Sequence, residues 1–358
     1  MKIIHTADLH LDSKIDGIPT EKSKIRRDEI IRTFERLVDF AKENDVKAII
    51  IAGDMFDTQK VSLKTRERVF GCIRNNKDID FLYAPGNHDQ TSVISTILDL
   101  PTNFIEFNDN LKSIRYGDIV VSGILLNSTN KNIVYDVLSL NEKDTNIVIM
   151  HGQVAGYKSK EDAEVISIPR LKGKFIDYLA LGHIHSYSAE PIDERGYYVY
   201  SGCLDGRGFD ELGSKGFVLL DCEQGKVKSQ FIEFSSRTLF EKTFDASEYD
   251  SFYQLSQDII AKLQAEIDAR SLVKVILKGQ HSIDFLIDTF SLASRLNEIF
   301  FFAKVYDKTE LKISLEDYRY DKSIKGEFVR SVWESDMTIE QKNKVIKCGL
   351  SALKGEEF

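Results

Sequence analysis

The chain has 358 residues, 42% of them hydrophobic and 29% charged, enough to bury the core of one large domain or two. Its formal net charge of −9 argues against a protein that coats nucleic acid nonspecifically, although a locally basic or metal-bearing site stays compatible with it. No run of about 18 apolar residues is present, so no membrane-spanning helix is expected. Residues 1–7 are too short and too soon interrupted by Asp8 and His10 to read as a signal peptide. Cys72, Cys203, Cys222 and Cys348 are scattered without a Cys-x-x-Cys pair; they read as reduced thiols, and a cytoplasmic location is expected.

Residues 2–7 (KIIHTA) form a short apolar run that delivers Asp8 and His10 at its C-terminal end. Two positions apart in extended backbone, these side chains point to one side. After a polar connection, residues 28–44 place Ile30, Ile31, Phe34, Leu37, Val38 and Ala41 at helical spacing. The continuous apolar run 48–52 predicts a strand buried on both faces, and it ends in Gly53-Asp54. Ser62 can cap a helix reaching about residue 76, and the strand 81–84 leads into Pro85-Gly86-Asn87-His88-Asp89. Further strands are expected over 119–124, over 146–150 ahead of His151, and over 178–181 ahead of Gly182-His183-Ile184-His185. Two more are expected over 197–201 and 216–221. Polar residues placed just beyond strand ends are where open α/β sheets build their sites. The composition shifts after Phe234. Helices over 253–269 and 287–299 alternate with strands over 273–277, 300–305 and 311–313, a small α+β unit without a metal-ligand cluster. Two helices, 325–334 and 338–353, close the chain, the second with a capping-box pattern at Thr338 and Gln341.

Five groups in this order carry chemistry: Asp8-Leu9-His10, Gly53-Asp54, Gly86-Asn87-His88-Asp89, His151-Gly152 and Gly182-His183-Ile184-His185. A single histidine after a strand is more often a surface or core residue than a ligand, but five of the seven histidines fall in this pattern. Hydrolysis of a phosphodiester needs a nucleophile near neutral pH and relief of charge on the phosphoryl oxygens. Two metals roughly 3.5–4 Å apart supply both. Mixed imidazole and carboxylate ligation suits manganese, iron, zinc or nickel rather than magnesium.

The ordered set DxH, GD, GNHD, HG and GHxH resembles the calcineurin-like metallophosphoesterase superfamily. HTADLHLDS at 5–13 and GDMFD at 53–57 are similar to its SbcD-type DNA repair nucleases. The segment 200–216 (YSGCLDGRGFDELGSKG) resembles the close of that catalytic domain, and the region from Leu239 its capping domain. KGEFVR and CGLSALKGEE within 323–358 resemble its short, YhaO-like bacterial branch. The resemblance implies an α/β four-layer sandwich of two central mixed β-sheets flanked by helices (1–236), an α+β capping and DNA-binding domain (237–316) and a C-terminal helical segment (317–358). It also implies two divalent ions, Mn2+ foremost. Asp8, His10, Asp54 and His185 would hold the first, and Asp54 would bridge to a second completed by Asn87, His151 and His183. His88 would ligate neither and would face the scissile phosphate, stabilising charge or protonating the leaving oxygen. Asp89 would orient a histidine. Archaeal members often carry a second histidine where this chain has Asp57, which bears on rate or substrate preference.

Other residues have two readings. Asp12 and Asp57 are either outer supports of the ligands or exposed turn residues. Arg207 can contact a DNA phosphate, but a structural ion pair is favoured; for Lys158 and Lys160 a solvated loop face is favoured over substrate contact. His5 and His281 are assigned to packing or surface. The C-terminal helices can pack on their own domain. The resemblance favours docking on an SbcC-like, SMC-type coiled-coil ATPase through Phe328, Val329, Val332, Trp333, Val345, Ile346 and Leu350. It also implies a homodimer, to which residues 92–98 could contribute. The expected function is a manganese-dependent DNA exonuclease and endonuclease in double-strand break repair. A phosphodiesterase of small or cyclic nucleotides is disfavoured by the accessory domain, and a non-catalytic DNA-end tethering scaffold by the complete ligand set.

Overall fold

In a computed structural model of the chain, the structure describes residues 1–57, 61–86, 94, 99–156, 164–282, 285–312 and 318–353. The chain divides into two compact units, Met1–Leu239 and Phe240–Phe358. The first runs β1 (Lys2–Thr6), α1 (Thr20–Glu43), β2 (Val46–Ala52), α2 (Leu63–Asn75), β3 (Asp80–Ala84), β4 (Phe104–Glu106), β5 (Lys112–Tyr116) and β6 (Ile119–Gly123). It continues with α3 (Val134–Val137), β7 (Thr145–His151), β8 (Gln153–Val154), β9 (Val165–Ile166), α4 (Ile168–Leu171), β10 (Tyr178–Gly182), β11 (Ser188–Pro191), β12 (Tyr197–Tyr200), β13 (Gly216–Glu223) and β14 (Lys226–Glu233).

Twelve of these strands make two mixed six-stranded sheets, ordered β14-β13-β1-β2-β3-β4 and β11-β12-β10-β7-β6-β5, and β8 pairs with β9 in parallel. Within the first, β1, β2, β3 and β4 are parallel; within the second, β6, β7, β10 and β12 are. The alternation of β2 shows why the sheets stack. Ile49 and Ile51 face Phe34, Leu37 and Phe70 of the flanking helices, while Ala48, Ile50 and Ala52 join Ile147, Ile149 and Ala180 between the sheets. Small residues on that inner side let two sheets approach face to face. A third cluster, including Val134, Leu171, Leu179 and Leu181, covers the outside of the second sheet. The expected two sheets flanked by helices are therefore what the chain builds.

Helix α1 begins at Thr20, eight residues ahead of the expected start at 28, because Arg26 is a buried residue disguised as a polar one. Its guanidinium donates to Asp205 Oδ1 at 2.7 Å, to Gly206 O at 2.8 Å and to Glu29 at 2.7 Å, which offsets the cost of burial. Strands β4, β5, β11 and β14 were not anticipated. β14 alternates exposed and half-buried residues at the sheet edge, so its apolar signal is weak.

In the second unit, β15 (Leu239–Asp245), β16 (Leu272–Lys278) and β18 (Phe302–Asp307) form a three-stranded sheet, packed on α5 (Phe252–Glu266) and α6 (Thr289–Ile299). Two short strands, β17 (Gln280–His281) and β19 (Glu310–Leu311), pair in parallel. Ser251 and Asp288 cap α5 and α6 through their side chains. The closing helices, Ile324–Trp333 and Ile339–Leu353, pack on each other through Val329, Val332, Ile346 and Leu350, with Phe328 and Trp333 against this seam. Thr338 and Gln341 form the reciprocal capping box. Most residues expected to form a docking face therefore lie inside the hairpin, because its two helices bury their apolar stripes on one another. The apolar groups left exposed include Ile324, Ile339, Val345 and Leu353. Among the described residues no helix is long and apolar enough to cross a membrane, and the four cysteines are free thiols.

Candidate metal centre

The C-terminal ends of parallel strands from both sheets converge on one cluster. β1 delivers Asp8 and His10, β2 Asp54, β7 His151, and β10 His183 and His185. The first two loops run side by side: Asp8 N donates to Gly53 O, His10 N to Asp54 O and Leu11 N to Met55 O, at 2.9–3.1 Å. This pairing forces unusual backbone. Asp8, His10, Asp54 and His183 all have positive φ, at 49°, 43°, 46° and 101°, a region costly for non-glycine residues and concentrated at functional sites.

The glycines of the motifs have steric reasons. At Gly53, with φ +92°, an added Cβ would lie 1.9 Å from His151 Nδ1; at Gly86 it would lie 2.1 Å from Asp54 Oδ1. Only hydrogen fits where Gly53 passes a ligand of the other sheet and Gly86 passes one from the neighbouring strand of its own sheet.

Asp8, His10, Asp54, His151 and His183 are all buried. His183 N donates to both carboxylate oxygens of Asp8 at 3.0 Å, and its ring meets that of His151 edge-on at 5.5 Å between centroids. Three imidazoles share one orientation. His151 Nδ1 lies 2.9 Å from Ala52 O, His10 Nδ1 3.0 Å from Asp57 Oδ1, and His185 Nδ1 2.7 Å from Glu211 Oε1. Each of these partners only accepts, so each Nδ1 carries the proton and each Nε2 turns its other side to the cluster. His10 Nε2 and His185 Nε2 are 3.2 Å apart, and His151 Nε2 is 3.4 Å from Asp54 Oδ2. Acceptors facing one another at such distances are satisfied by a shared proton or a cation, and imidazole with carboxylate is a donor set for divalent transition metals. The residues present fit the metal group.

Ligand-capable atoms of Asp8, His10 and His185 lie within 4.8 Å of one another, as do those of Asp8, Asp54 and His151. Asp8 is common to both groups, where the resemblance gave the shared position to Asp54. Asn87, His88 and Asp89 lie outside the described residues, as do Lys158, Lys160 and all of 92–98 except Ile94, which is buried in the core.

Asp57 and Arg207 are engaged with one another within the protein: Arg207 Nη1 is 3.1 Å from Asp57 Oδ1. Arg207 also meets Glu211 through Nε at 3.1 Å, Nη2 at 2.8 Å and its backbone N at 2.6 Å. Glu211 was missed by the sequence reading. Its only signal is an acid four residues after Arg207 in an irregular, glycine-rich turn. Burial would raise the Glu211 carboxyl, but hydrogen bonds from His185 and the Arg207 charge hold it well below the usual carboxylate range. Burial likewise opposes charge on His185, yet Glu211 and Asp8 raise that imidazole above its ordinary value. Lys215 Nζ donates to His185 O at 2.7 Å and fixes the backbone there. Asp12 instead receives Arg27 at 2.8 Å and Ser62 N at 2.7 Å, tying together α1 and the start of α2. His5 is a core residue bonded to Tyr178 OH at 2.8 Å, and His281 stands partly exposed beside Phe285.

Two stacked mixed sheets with imidazoles and carboxylates at their strand ends define a metal-dependent phosphoesterase. The pattern of the calcineurin-like phosphoesterases matches residues 1–187, just over half of the chain, and the chain belongs to that family of hydrolases. It is 25% identical to the uncharacterized metallophosphoesterase YhaO of Bacillus subtilis over 78% of this chain and 72% of that one. It is also 25% identical to the DNA double-strand break repair protein Mre11 of Aeropyrum pernix over 79% and 74%, and 23% identical to that of Saccharolobus solfataricus over 89% and 85%.

Proposed function

We propose that the protein is a two-metal phosphodiesterase that cleaves DNA during double-strand break repair. The observation that carries the reading is the convergence of Asp8, His10, Asp54, His151, His183 and His185 at one set of strand ends, with ligand atoms of Asp8, His10, Asp54, His151 and His185 turned towards each other. The DNA substrate is supported by relatives named as DNA double-strand break repair proteins that match along most of both chains.

Asp8, His10, Asp54 and His185 would hold one ion and Asn87, His151 and His183 the other, with a carboxylate shared between them. Divalent ions there, Mn2+ foremost, would supply a nucleophile at neutral pH and draw charge off the phosphoryl oxygens. The chain's own residues do the rest. Asp57, Glu211 and the Ala52 carbonyl hold the imidazole protons on the outer nitrogens, so that the inner nitrogens stay available as ligands. His88 would donate its proton to the leaving oxygen, and Asp89 would orient a neighbouring imidazole. We further propose that residues 237–316 act as a capping domain towards DNA and that residues 317–358 dock on an SbcC-like coiled-coil ATPase, in a dimeric assembly.

End-labelled duplex and single-stranded DNA, incubated with the full chain in Mn2+, Mg2+ or chelator, tests the reading. Cleavage in Mn2+ that chelator and His88→Ala both abolish is expected. Mn2+-dependent hydrolysis of an aryl phosphodiester without DNA cleavage, even with an SbcC-like coiled-coil ATPase added, would contradict the DNA assignment.

A further inference from the structure

Two histidines of the cluster are braced by one arginine. His10 and Arg207 meet the same oxygen of Asp57, at 3.0 and 3.1 Å. His185 and Arg207 meet the same oxygen of Glu211, at 2.7 and 2.8 Å. Because His10 Nε2 and His185 Nε2 then face each other at 3.2 Å, the five side chains close a ring whose inner edge is a pair of imidazole nitrogens. A planar guanidinium with several donors can bridge two carboxylates in this way; an ammonium, a single point of charge, cannot hold both in fixed directions.

Resting on the metallophosphoesterase reading, we infer that Arg207 is a positioning residue that sets the metal affinity of His10 and His185 through Asp57 and Glu211, rather than a contact for DNA. The side chain is largely shielded, at 19% exposure, and each of its three nitrogens donates to one of the two carboxylates. Glu211 is nearly as buried as the core, so it depends on Arg207 for charge balance. Asp57 lies nearer solvent, at 22%, and without the guanidinium the oxygen that faces His10 loses one of the donors that fix its direction. Either change would release an imidazole from the orientation and protonation that present Nε2 to a metal. Outer partners of this kind typically set metal affinity by about 10–100-fold. GDMFD and the turn 202–216 are thereby one device, contributed by segments about 150 residues apart.

The test uses the full chain with Arg207→Met, Arg207→Lys, Glu211→Gln and Asp54→Asn. Mn2+ affinity is read by electron paramagnetic resonance, and the histidine tautomers of the metal-free protein by 15N NMR. Arg207→Met should weaken Mn2+ binding by about 10–100-fold and mix the His10 and His185 tautomers before any metal is added. Arg207→Lys should restore only part of the loss, whereas Glu211→Gln, which keeps an acceptor for His185, should stay closer to the wild type. Unchanged Mn2+ affinity and unchanged tautomers in Arg207→Met, with Asp54→Asn still losing Mn2+, would overturn the positioning role and leave the two-metal site standing. Absence of Mn2+ binding by the wild type would overturn both.

Discussion

Replacing Arg26 with methionine keeps an apolar stem and deletes a guanidinium that is fully buried against a fully buried Asp205. Three bonds of 2.7–2.8 Å are lost, to Asp205, Gly206 O and Glu29. Among the described residues, Asp205 then retains the neutral donors Thr33 hydroxyl at 2.8 Å and Ser236 N at 3.0 Å. Removing one member of a buried pair strands the other charge and costs about 3–5 kcal/mol, which for a unit of this size lowers the melting temperature by roughly 6–20 °C. Because Gly206 precedes Arg207, the same change loosens the turn that carries Arg207 and Glu211. Urea and thermal unfolding of the full chain, followed by far-UV circular dichroism, measure the loss. The single tryptophan, Trp333, sits in the C-terminal hairpin and would report the other unit. The double variant Arg26→Met/Asp205→Asn should recover much of the stability. A single-variant loss below about 1 kcal/mol, the range of an exposed pair, or a double variant no better than the single, would refute the reasoning.

Gly86→Ala would bring a Cβ within 2.1 Å of Asp54 Oδ1; the fold should persist by circular dichroism while Mn2+-dependent hydrolysis of an aryl phosphodiester drops about 100-fold, and a rate within twofold of wild type would contradict the close approach. His5, fully buried, has its imidazole lowered from 6.5 to about 3, chiefly by burial. Between those values the unfolded chain binds the proton and the folded chain does not, so this contribution is full above pH 6.5 and declines as pH falls towards 3, by about 1.4 kcal/mol per pH unit. Urea titrations at pH 7 and pH 5 should show a smaller decline for His5→Gln than for wild type, and equal declines would count against a neutral buried imidazole. Ile346→Ala removes a fully buried side chain from the hairpin seam; the Trp333 fluorescence transition should move to lower urea while aryl phosphodiesterase activity is retained, and an unmoved transition would refute the hairpin packing.

Most of the fold was legible because buried strands advertise themselves. Runs such as Ala48-Ile49-Ile50-Ile51-Ala52 face apolar neighbours on both sides and leave no ambiguity about burial. Edge strands did not, since half of each of their side chains meets water, as along β14. Helix α1 was misjudged at its start because Arg26 reads as solvent-facing until Asp205, 179 positions away, is known to meet it. The same limit applies to the site. Motifs at strand ends mark Asp8, His10, Asp54, His151, His183 and His185, and the family resemblance gave them their expected role as ligands. The supports around them arise from distant turns: nothing in the sequence links Asp57 to Arg207 or His185 to Glu211. The two readings of Asp57 and Arg207 could be separated only once those segments were seen together.

The most direct test of the central claim is a count of bound metal. The full chain, stripped with chelator and dialysed against Mn2+, should retain two ions by elemental analysis, and Asp54→Asn, which alters the carboxylate proposed to serve both ions, should lose both. Retention of fewer than two ions by the wild type, or of two by Asp54→Asn, would contradict a two-metal centre built on these strand ends.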